Sequence, residues 1–556
     1  MISISYGGGR KQFAMKLCKL TESNISSITG KKICCVEKSV SYLEELCQKY
    51  DVLEQISCIV DTNRRNLGQF AFHGKEIEVV YISYLADMNL EETAIVITSD
   101  YYKEVFENIA AVLGPDISDI TIYYFANRET EYEETYRDRY AEEPLKNIIV
   151  FRSGPHASSY VKGMDFGDNA RALFEYAVQI GLNRTYELVW LVKEPKEFER
   201  YASVENISFL SYEWSLSEKQ TERDAYYRVL CLAKYIFFTD AYGFARNCRK
   251  DQVRVQLWHG CGFKTRVNFV RCEKRYEYTT VISDLYADIH ADIYGLRKDQ
   301  VLVTGYAKQD WLFHPGKEDI RKLQIPDAEK YIFWLPTFRS TERKLEQLNE
   351  YALDSETGLP IVKTKKQMDV LNDLLAEKNT VLIIKLHPFQ DRSEVFCEGC
   401  TNIHLIENED LVEADIPINR LLGQADALIS DYSSAAVDFM LLDRPIAFML
   451  EDVEEYEKSR GFVFENIREW LPGKEIFVFE DVCSFVEEVA SGRDTTGNKR
   501  QMLRSKMHKY CDDNNCRRIL EELHIFHRSD EEKGSVRTCA INGMKYGKNE
   551  AQTRKN

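Results

Sequence analysis

Ala425-Asp-Ala-Leu-Ile-Ser-Asp-Tyr-Ser-Ser-Ala-Ala-Val-Asp-Phe-Met-Leu-Leu442 reads as an apolar strand, a short polar turn, and a helix that begins at Ser433 or Ser434. A short apolar run closed by a turn is the pattern of a strand buried on both faces, as in a parallel sheet covered by helices. Serine at a helix start caps backbone N–H groups, and those groups together with the helix dipole form an anion site. Three further runs end in the same manner: Val253–Trp258 into His259-Gly260, Tyr331–Leu335 into Pro336-Thr337-Phe338-Arg339, and Val381–Leu386 into His387-Pro388. Ligands of open α/β sheets bind outside the carboxyl ends of the strands. The four ends therefore predict an α/β fold with a single cleft suited to a phosphate-rich substrate.

With 556 residues the chain has room for roughly three domains. Residues 1–145 read as a small Rossmann-like unit, with strands at Lys32–Glu37, Ser57–Asp61, Ile77–Ile82 and Ala94–Thr98 and helices at Ser41–Tyr50 and Tyr101–Leu113. Its first strand-to-helix turn, Glu37-Lys38-Ser39, has no Gly-x-Gly-x-x-Gly, so nothing there supports dinucleotide binding. Gly7-Gly8-Gly9 precedes any strand, lacks a following Gly-Lys-Ser/Thr, and reads as a flexible N-terminus. The charged run Arg128–Glu143 is either a solvated helix or a linker and marks a boundary. A second α/β unit, 146–310, holds the strand that leads to His259, and a third, 311–528, holds the other three strand ends. Residues 529–556 are polar, have no periodicity, and read as a disordered tail.

The formal net charge of −17 argues against a general nucleic-acid footprint, although a local basic cleft can still hold phosphate. The odd number of cysteines, 15, points to reduced thiols rather than a disulfide framework. Cys397 and Cys400 form a lone CxxC with no second pair to complete a zinc site, and Cys34-Cys35 reads as strand core. The opening Met1-Ile2-Ser3-Ile4-Ser5 lacks the pattern of a secretory signal, and no stretch of about 18 apolar residues is present. The expectation is a cytoplasmic protein, peripheral at the inner face of the cell membrane where it meets anionic lipid. Lys264, Arg266, Arg271, Lys274 and Arg275, with Phe263 and Phe269 interleaved, fit a polyanionic acceptor, a membrane surface or a solvated loop. No Asp-x-Asp in a suitable setting calls for a metal, and no cofactor is expected.

His259 and His387 occupy the same topological position, each after an apolar strand and before a turn residue. A neutral imidazole can take a proton from an attacking hydroxyl, and a protonated one can stabilise phosphate charge. Asp431 suits substrate hydroxyls or the orientation of a histidine or arginine. Arg339 can grip a phosphate bidentately, and Lys264 can do so as a point charge. The remaining eight of the 10 histidines lack this setting and read as structural or surface residues.

Together these motifs resemble the bacterial CDP-glycerol glycerophosphotransferases, the teichoic acid primases and polymerases of GT-B architecture. The resemblance runs through Leu257-Trp258-His259-Gly260, Thr304-Gly305-Tyr306 with Asp310, Leu335-Pro336-Thr337-Phe338-Arg339, and Lys385-Leu386-His387-Pro388. It continues through Ser430-Asp431-Tyr432-Ser433-Ser434 with Asp438 and Arg444-Pro445, then Arg460-Gly461-Phe462 and Pro472-Gly473. It implies a pair of Rossmann-type domains facing a cleft, with CDP-glycerol mainly in the C-terminal one. A hydroxyl of a lipid-linked or polymeric polyol-phosphate acceptor would attack the β-phosphorus and release CMP. The resemblance carries His259, His387 and Asp431 over as catalytic residues, with His259 favoured as base. It carries Gly260, Lys264, Thr337, Arg339, Ser433 and Ser434 over as substrate-binding, together with Asp438, Arg444, Arg460 and Gly461.

This sequence departs from the family pattern at Cys261-Gly262-Phe263, where Thr-Pro-Leu is usual, and at Ala307-Lys308-Gln309, where Pro-Arg-Asn is usual. The usual Asp-Gly is also absent near Asp512-Asp513-Asn514-Asn515. These changes leave the transferred polyol and the acceptor open. A CDP-ribitol phosphotransferase, a nucleotide-sugar glycosyltransferase on the same frame, and a polymer- or nucleotide-binding scaffold are the alternatives.

Overall fold

A computed structural model describes residues 2–6, 13–63, 66–114, 120–154, 164–239, 244, 249–265, 272–336, 355–386, 392–459 and 461–526. The chain divides into two compact units, one of Met1–Pro144 with Glu213–Leu232 and Gly243–Lys250, the other of the remainder.

The first unit is built on an eight-stranded sheet in the order Ile2–Tyr6, Phe13–Lys19, Thr121–Tyr124, Thr93–Ile97, Lys32–Val36, Ile56–Asp61, Lys75–Tyr81, Gly68–Phe72. The two edge pairs are antiparallel and the strands between them are parallel. Alternation along one strand supplies both faces. Cys34 and Val36 enter one core with the helix Tyr102–Leu113, while Ile33 and Cys35 enter the other with Val40–Tyr50. Cys34-Cys35 is thus core, as its apolar setting suggests. The run at Arg128–Glu143 forms a helix, Arg128–Arg139, whose N-cap Asn127 accepts a 2.9 Å bond from Thr130 N. Tyr136 on this helix stacks on Tyr227 of Gln220–Leu232 at 4.5 Å, which draws that later helix into the first unit.

The second unit contains two all-parallel sheets. One has seven strands in the order Ile207–Ser211, Glu187–Val192, Lys146–Ser153, Ala233–Thr239, Val253–Gln256, Tyr278–Val281, Val301–Val303. The other has six, in the order Ile403–Ile406, Thr380–Lys385, Lys330–Trp334, Ala427–Ser430, Ile446–Met449, Lys474–Ile476. Ala427–Ser430 and Ile446–Met449 are buried along their whole length and Thr380–Lys385 up to its final lysine, as expected when helices cover both faces.

The last helix, Asn515–Glu522, does not stay with the six-stranded sheet that precedes it in sequence. Its Cys516, Ile519 and Leu520 join the core of the seven-stranded sheet beside Phe174 and Ala307. Asp310 caps its start by accepting from Asn515 N at 2.9 Å and Cys516 N at 2.8 Å. Among the described residues, no helix is long and apolar enough to cross a membrane. The triplet Gly7–Gly9 and the tail 529–556 lie outside the described residues.

Candidate functional site

The chain bends sharply where Val253–Gln256 leaves the seven-stranded sheet. Trp258 has φ +56° and Gly260 φ +154°. The bend is fixed from several sides. Trp258 N donates to Gln256 Oε1 at 3.0 Å, and Asn169 Nδ2 donates to the carbonyls of Leu257 and Trp258 at 3.2 and 2.8 Å. Lys308 Nζ donates to the carbonyl of His259. The His259 ring lies on the Trp258 indole, with centroids 4.5 Å apart. Beneath the turn, Cys261 Sγ stands 3.1 Å from Tyr306 Oη and 3.5 Å from His290 Nε2. Burial, then the nearby His259, pushes His290 down to about 3, so it stays neutral.

Opposite stands the carboxyl end of Ala427–Ser430. Asp431 is buried there, and Ser433 Oγ accepts from Ala435 N at 3.3 Å to cap the helix Ser434–Phe439. A Cβ on Gly260 would lie 2.8 Å from Ser434 Oγ, and one on Gly262 would lie 3.3 Å from Ser434 Cβ. The His259 turn and the serine turn are therefore in direct apposition. A second bridge follows: Lys264 pairs antiparallel with Phe462, Thr265 N donates to Gly461 O at 3.2 Å, and Val463 N donates to Phe263 O at 2.8 Å. The Lys264 ammonium lies 5.6 Å over the Tyr456 ring, which packs with Tyr432 and Phe462.

A cavity of about 560 Å³ lies between the carboxyl edges of the two sheets, with His259, Lys308, Asp168, Arg171, Lys385 and Asp415 among its walls. Lys308 sits 3.0 Å from Asp168 and 4.0 Å from Asp438. Burial opposes its charge, but the two carboxylates outweigh burial and raise its pKa, so it remains an ammonium. Lys385 closes the strand Thr380–Lys385 and donates to Asn408 Oδ1 at 2.6 Å. Burial brings it down to about 8 against the pull of Glu409 and Glu407. Arg171 bridges Glu175 and Asp415 at 2.7 Å each.

The structure brings His259, Gly260 and Ser434 together, with Asp431 and Ser433 on the same turn as Ser434. Lys264 and Gly461 form the flanking bridge. Asp438 is buried and accepts from Gln309 Nε2 at 2.6 Å and Asn419 Nδ2 at 3.5 Å, beside Lys308. Arg444 is not brought to the His259 and serine turns. Its guanidinium donates to the carbonyls of Gly423 and Ala425, at 2.9 and 2.5 Å, where the chain enters Ala427–Ser430. That is the amino end of the strand, opposite the cleft, and its donors tie backbone. Thr337, Arg339, His387 and Arg460 lie outside the described residues. The neighbours Leu335 and Lys385, which lead toward three of them, do line the cavity.

Sequence reading missed Asp168, Arg171, Lys308 and Lys385 as site residues. Lys308 and Lys385 were legible in principle, since Lys385 is the last residue of a strand and Lys308 closely follows the end of another. Asp168 and Arg171 carry no such signal, because they come from the start of a helix, Asp168–Gln179.

Residues 145–525 match the family described as CDP-glycerol:poly(glycerophosphate) glycerophosphotransferase. Over 311 residues the chain is 25% identical to the teichoic acid ribitol-phosphate polymerase TarL of Staphylococcus aureus, covering 52% of this chain and 51% of that protein. Over 292 residues it is 27% identical to a teichoic acid glycerol-phosphate primase of Bacillus subtilis, covering 49% and 68% respectively. The chain thus spans about half the length of the first of these relatives. The solved wall teichoic acid polymerase TagF superposes with a TM-score of 0.53 at 18% identity, covering 76% of this chain and 97% of that one, a likeness of fold.

Proposed function

The chain belongs to the CDP-glycerol:poly(glycerophosphate) glycerophosphotransferase family, and on that premise we propose that it transfers a polyol phosphate from a CDP-linked donor to an acceptor hydroxyl. The observation that carries this reading is the apposition of the His259 turn with Ser434, which brings a proton acceptor against a helix start rich in hydroxyl and N–H donors. The acceptor is a lipid-linked or polymeric polyol phosphate whose terminal hydroxyl reaches His259 from the cavity. His259 takes the hydroxyl proton as the oxygen bonds to the β-phosphorus. The bond from that phosphorus to the bridging oxygen breaks, and CMP leaves with the electron pair. Ser433 and Ser434 hold the diphosphate, Asp431 receives polyol hydroxyls or orients a histidine, and His387 stabilises charge on the transferred phosphate. Catalysis is then positioning plus charge stabilisation. The fitting setting is the inner face of the cell membrane, where a soluble donor meets a lipid-linked acceptor.

Glycerol and ribitol both remain in play as the transferred polyol, because the relatives include a glycerol-phosphate primase and a ribitol-phosphate polymerase. The test is incubation with labelled CDP-glycerol and CDP-ribitol, with and without a lipid-linked acceptor, while CMP release is followed. One donor is expected to turn over, and His259→Ala to lower the rate by about 10²–10⁴-fold. No CMP from either donor under any acceptor condition would defeat the proposal. Turnover of a UDP-sugar instead would point to a glycosyltransferase.

A further inference from the structure

Met1–Pro144 of the first unit precede the family match, and the sheet they form has a carboxyl edge of its own. Phe13–Lys19 and Thr121–Tyr124 run parallel there, with Lys19 level with Tyr124. A cavity of about 440 Å³ opens at this edge, and Lys19, Tyr102, Lys103, Tyr124, Glu134 and Arg137 line it. Tyr102 and Tyr124 stack with centroids 3.9 Å apart and planes 4° apart, which makes one wall rigid.

The charges in this cavity do not balance. Its carboxylate is already committed: Glu134 Oε2 pairs with Lys19 at 3.0 Å, and Oε1 accepts from Tyr102 Oη at 2.8 Å and Tyr124 Oη at 3.3 Å. Lys103 and Arg137 remain. Arg137 reaches Asp138 at 3.2 Å, but that carboxylate is 74% exposed and leaves most of the guanidinium's capacity unused. Lys103 has no ion pair or hydrogen bond among the described residues, and its ammonium lies 5.5 Å from the Tyr102 ring. Lys103 is exposed at the cavity mouth; partial desolvation, then Arg137 and more weakly Lys250, lower its pKa against the opposing pull of Glu134 and Asp138, so the cations outweigh the carboxylates around it. An anion placed between them relieves both the desolvation and the repulsion. The site lies at the carboxyl edge of a Rossmann-like sheet, where ligands of such sheets bind, and at the positive start of the twelve-residue helix Tyr102–Leu113.

We propose that this cavity is a second anion site, separate from the transferase cleft, which binds a phosphate group between Lys103 and Arg137 against the stacked tyrosines. Tetrahedral, multiply charged phosphate suits two converging cations of different geometry better than a planar carboxylate. The phosphate can belong to a small molecule or to a polyol-phosphate chain. The proposal does not rest on the reaction assigned to the cleft.

The test uses the full chain and an amine-acetylating reagent, with labelling of Lys103 read by peptide mass spectrometry. Inorganic phosphate is titrated against chloride at matched ionic strength. Phosphate at ten times its dissociation constant should slow Lys103 labelling about tenfold, saturably, while chloride does not. Arg137→Gln should lose this protection, and circular dichroism checks its fold. Should Arg137→Gln not fold, Lys250→Gln serves in its place with a weakened, right-shifted protection curve. Labelling of Lys385 in the same digests reports the cleft separately. CMP and a glycerol phosphate oligomer form parallel arms. Protection by the oligomer at lower phosphate concentration assigns a polymer ligand, and the reverse order assigns a small molecule. Lys103 labelling that ignores phosphate, follows chloride equally, or is protected in folded Arg137→Gln as in the parent would overturn the proposal.

Discussion

A Cβ on Gly260 would stand 2.8 Å from Ser434 Oγ and 3.0 Å from Ser434 Cβ. Gly260 belongs to the turn that carries His259, and Ser434 opens the helix at the end of the opposing sheet. The residue after the histidine is therefore one of the points where the two halves of the second unit meet.

Gly260→Ala meets both this contact and a φ of +154° that a side chain rarely adopts. It should cost about 1–3 kcal/mol in urea denaturation and lower CMP release by about 10²-fold through displacement of His259. Adding Ser434→Ala removes the Oγ contact and should restore part of the stability, since the φ penalty persists. Full activity in Gly260→Ala would show that the close approach is not needed for the chemistry.

Lys308 is the cation between Asp168 and Asp438 and also holds the His259 carbonyl. Lys308→Met leaves the buried Asp438 and the half-buried Asp168 without their counter-charge and should destabilise the chain by about 3 kcal/mol. Asp438→Asn in that background should recover part of the loss, measured as a coupling energy in a double-mutant cycle. Additive effects would mean that the pair does not interact.

Lys385 has its pKa brought down to about 8 by burial, so its ammonium is present below that pH and lost above it. A phosphate-bearing substrate in the cavity should bind less well as pH rises through 8. The apparent KM for the CDP donor should climb on the alkaline side, and Lys385→Arg, whose guanidinium does not titrate there, should flatten that limb. An unchanged profile in Lys385→Arg would remove Lys385 from the site.

His508 donates from Nε2 to the Val437 carbonyl at 2.8 Å, and burial pushes it down to about 4. A histidine with a depressed folded pKa contributes stability that is present above its unfolded pKa, about 6.5, and is lost as pH falls toward the folded value. Between pH 7 and pH 5 it should cost about 2 kcal/mol. Urea midpoints at the two pH values, compared with those of His508→Gln, isolate this contribution. The variant should show the smaller drop.

The central strands were legible because burial on both faces writes itself as an apolar run, as in Val381–Leu386 and Ala427–Ser430. Three of the edge and short strands were not. Ile207–Ser211 is half-buried for most of its length, Tyr278–Val281 carries two threonines, and Lys474–Ile476 has three residues. Each is held by pairing with a neighbour, and pairing leaves no local signature. Arg444 was carried over as substrate-binding by the family resemblance alone. Its carbonyl partners at Gly423 and Ala425 lie at the other end of the strand.

The sequence alone determined which strands are buried, and where each stops with a histidine or serine at its carboxyl end, because burial and capping are local properties of a few consecutive residues. Tertiary structure alone decided which ends meet. It set Gly260 against Ser434, placed Lys308 between Asp168 and Asp438, drew Gln220–Leu232 into the first unit, and returned Asn515–Glu522 to the seven-stranded sheet. These relationships depend on packing between residues tens to hundreds of positions apart, and no local periodicity or spacing encodes the distance across a cleft.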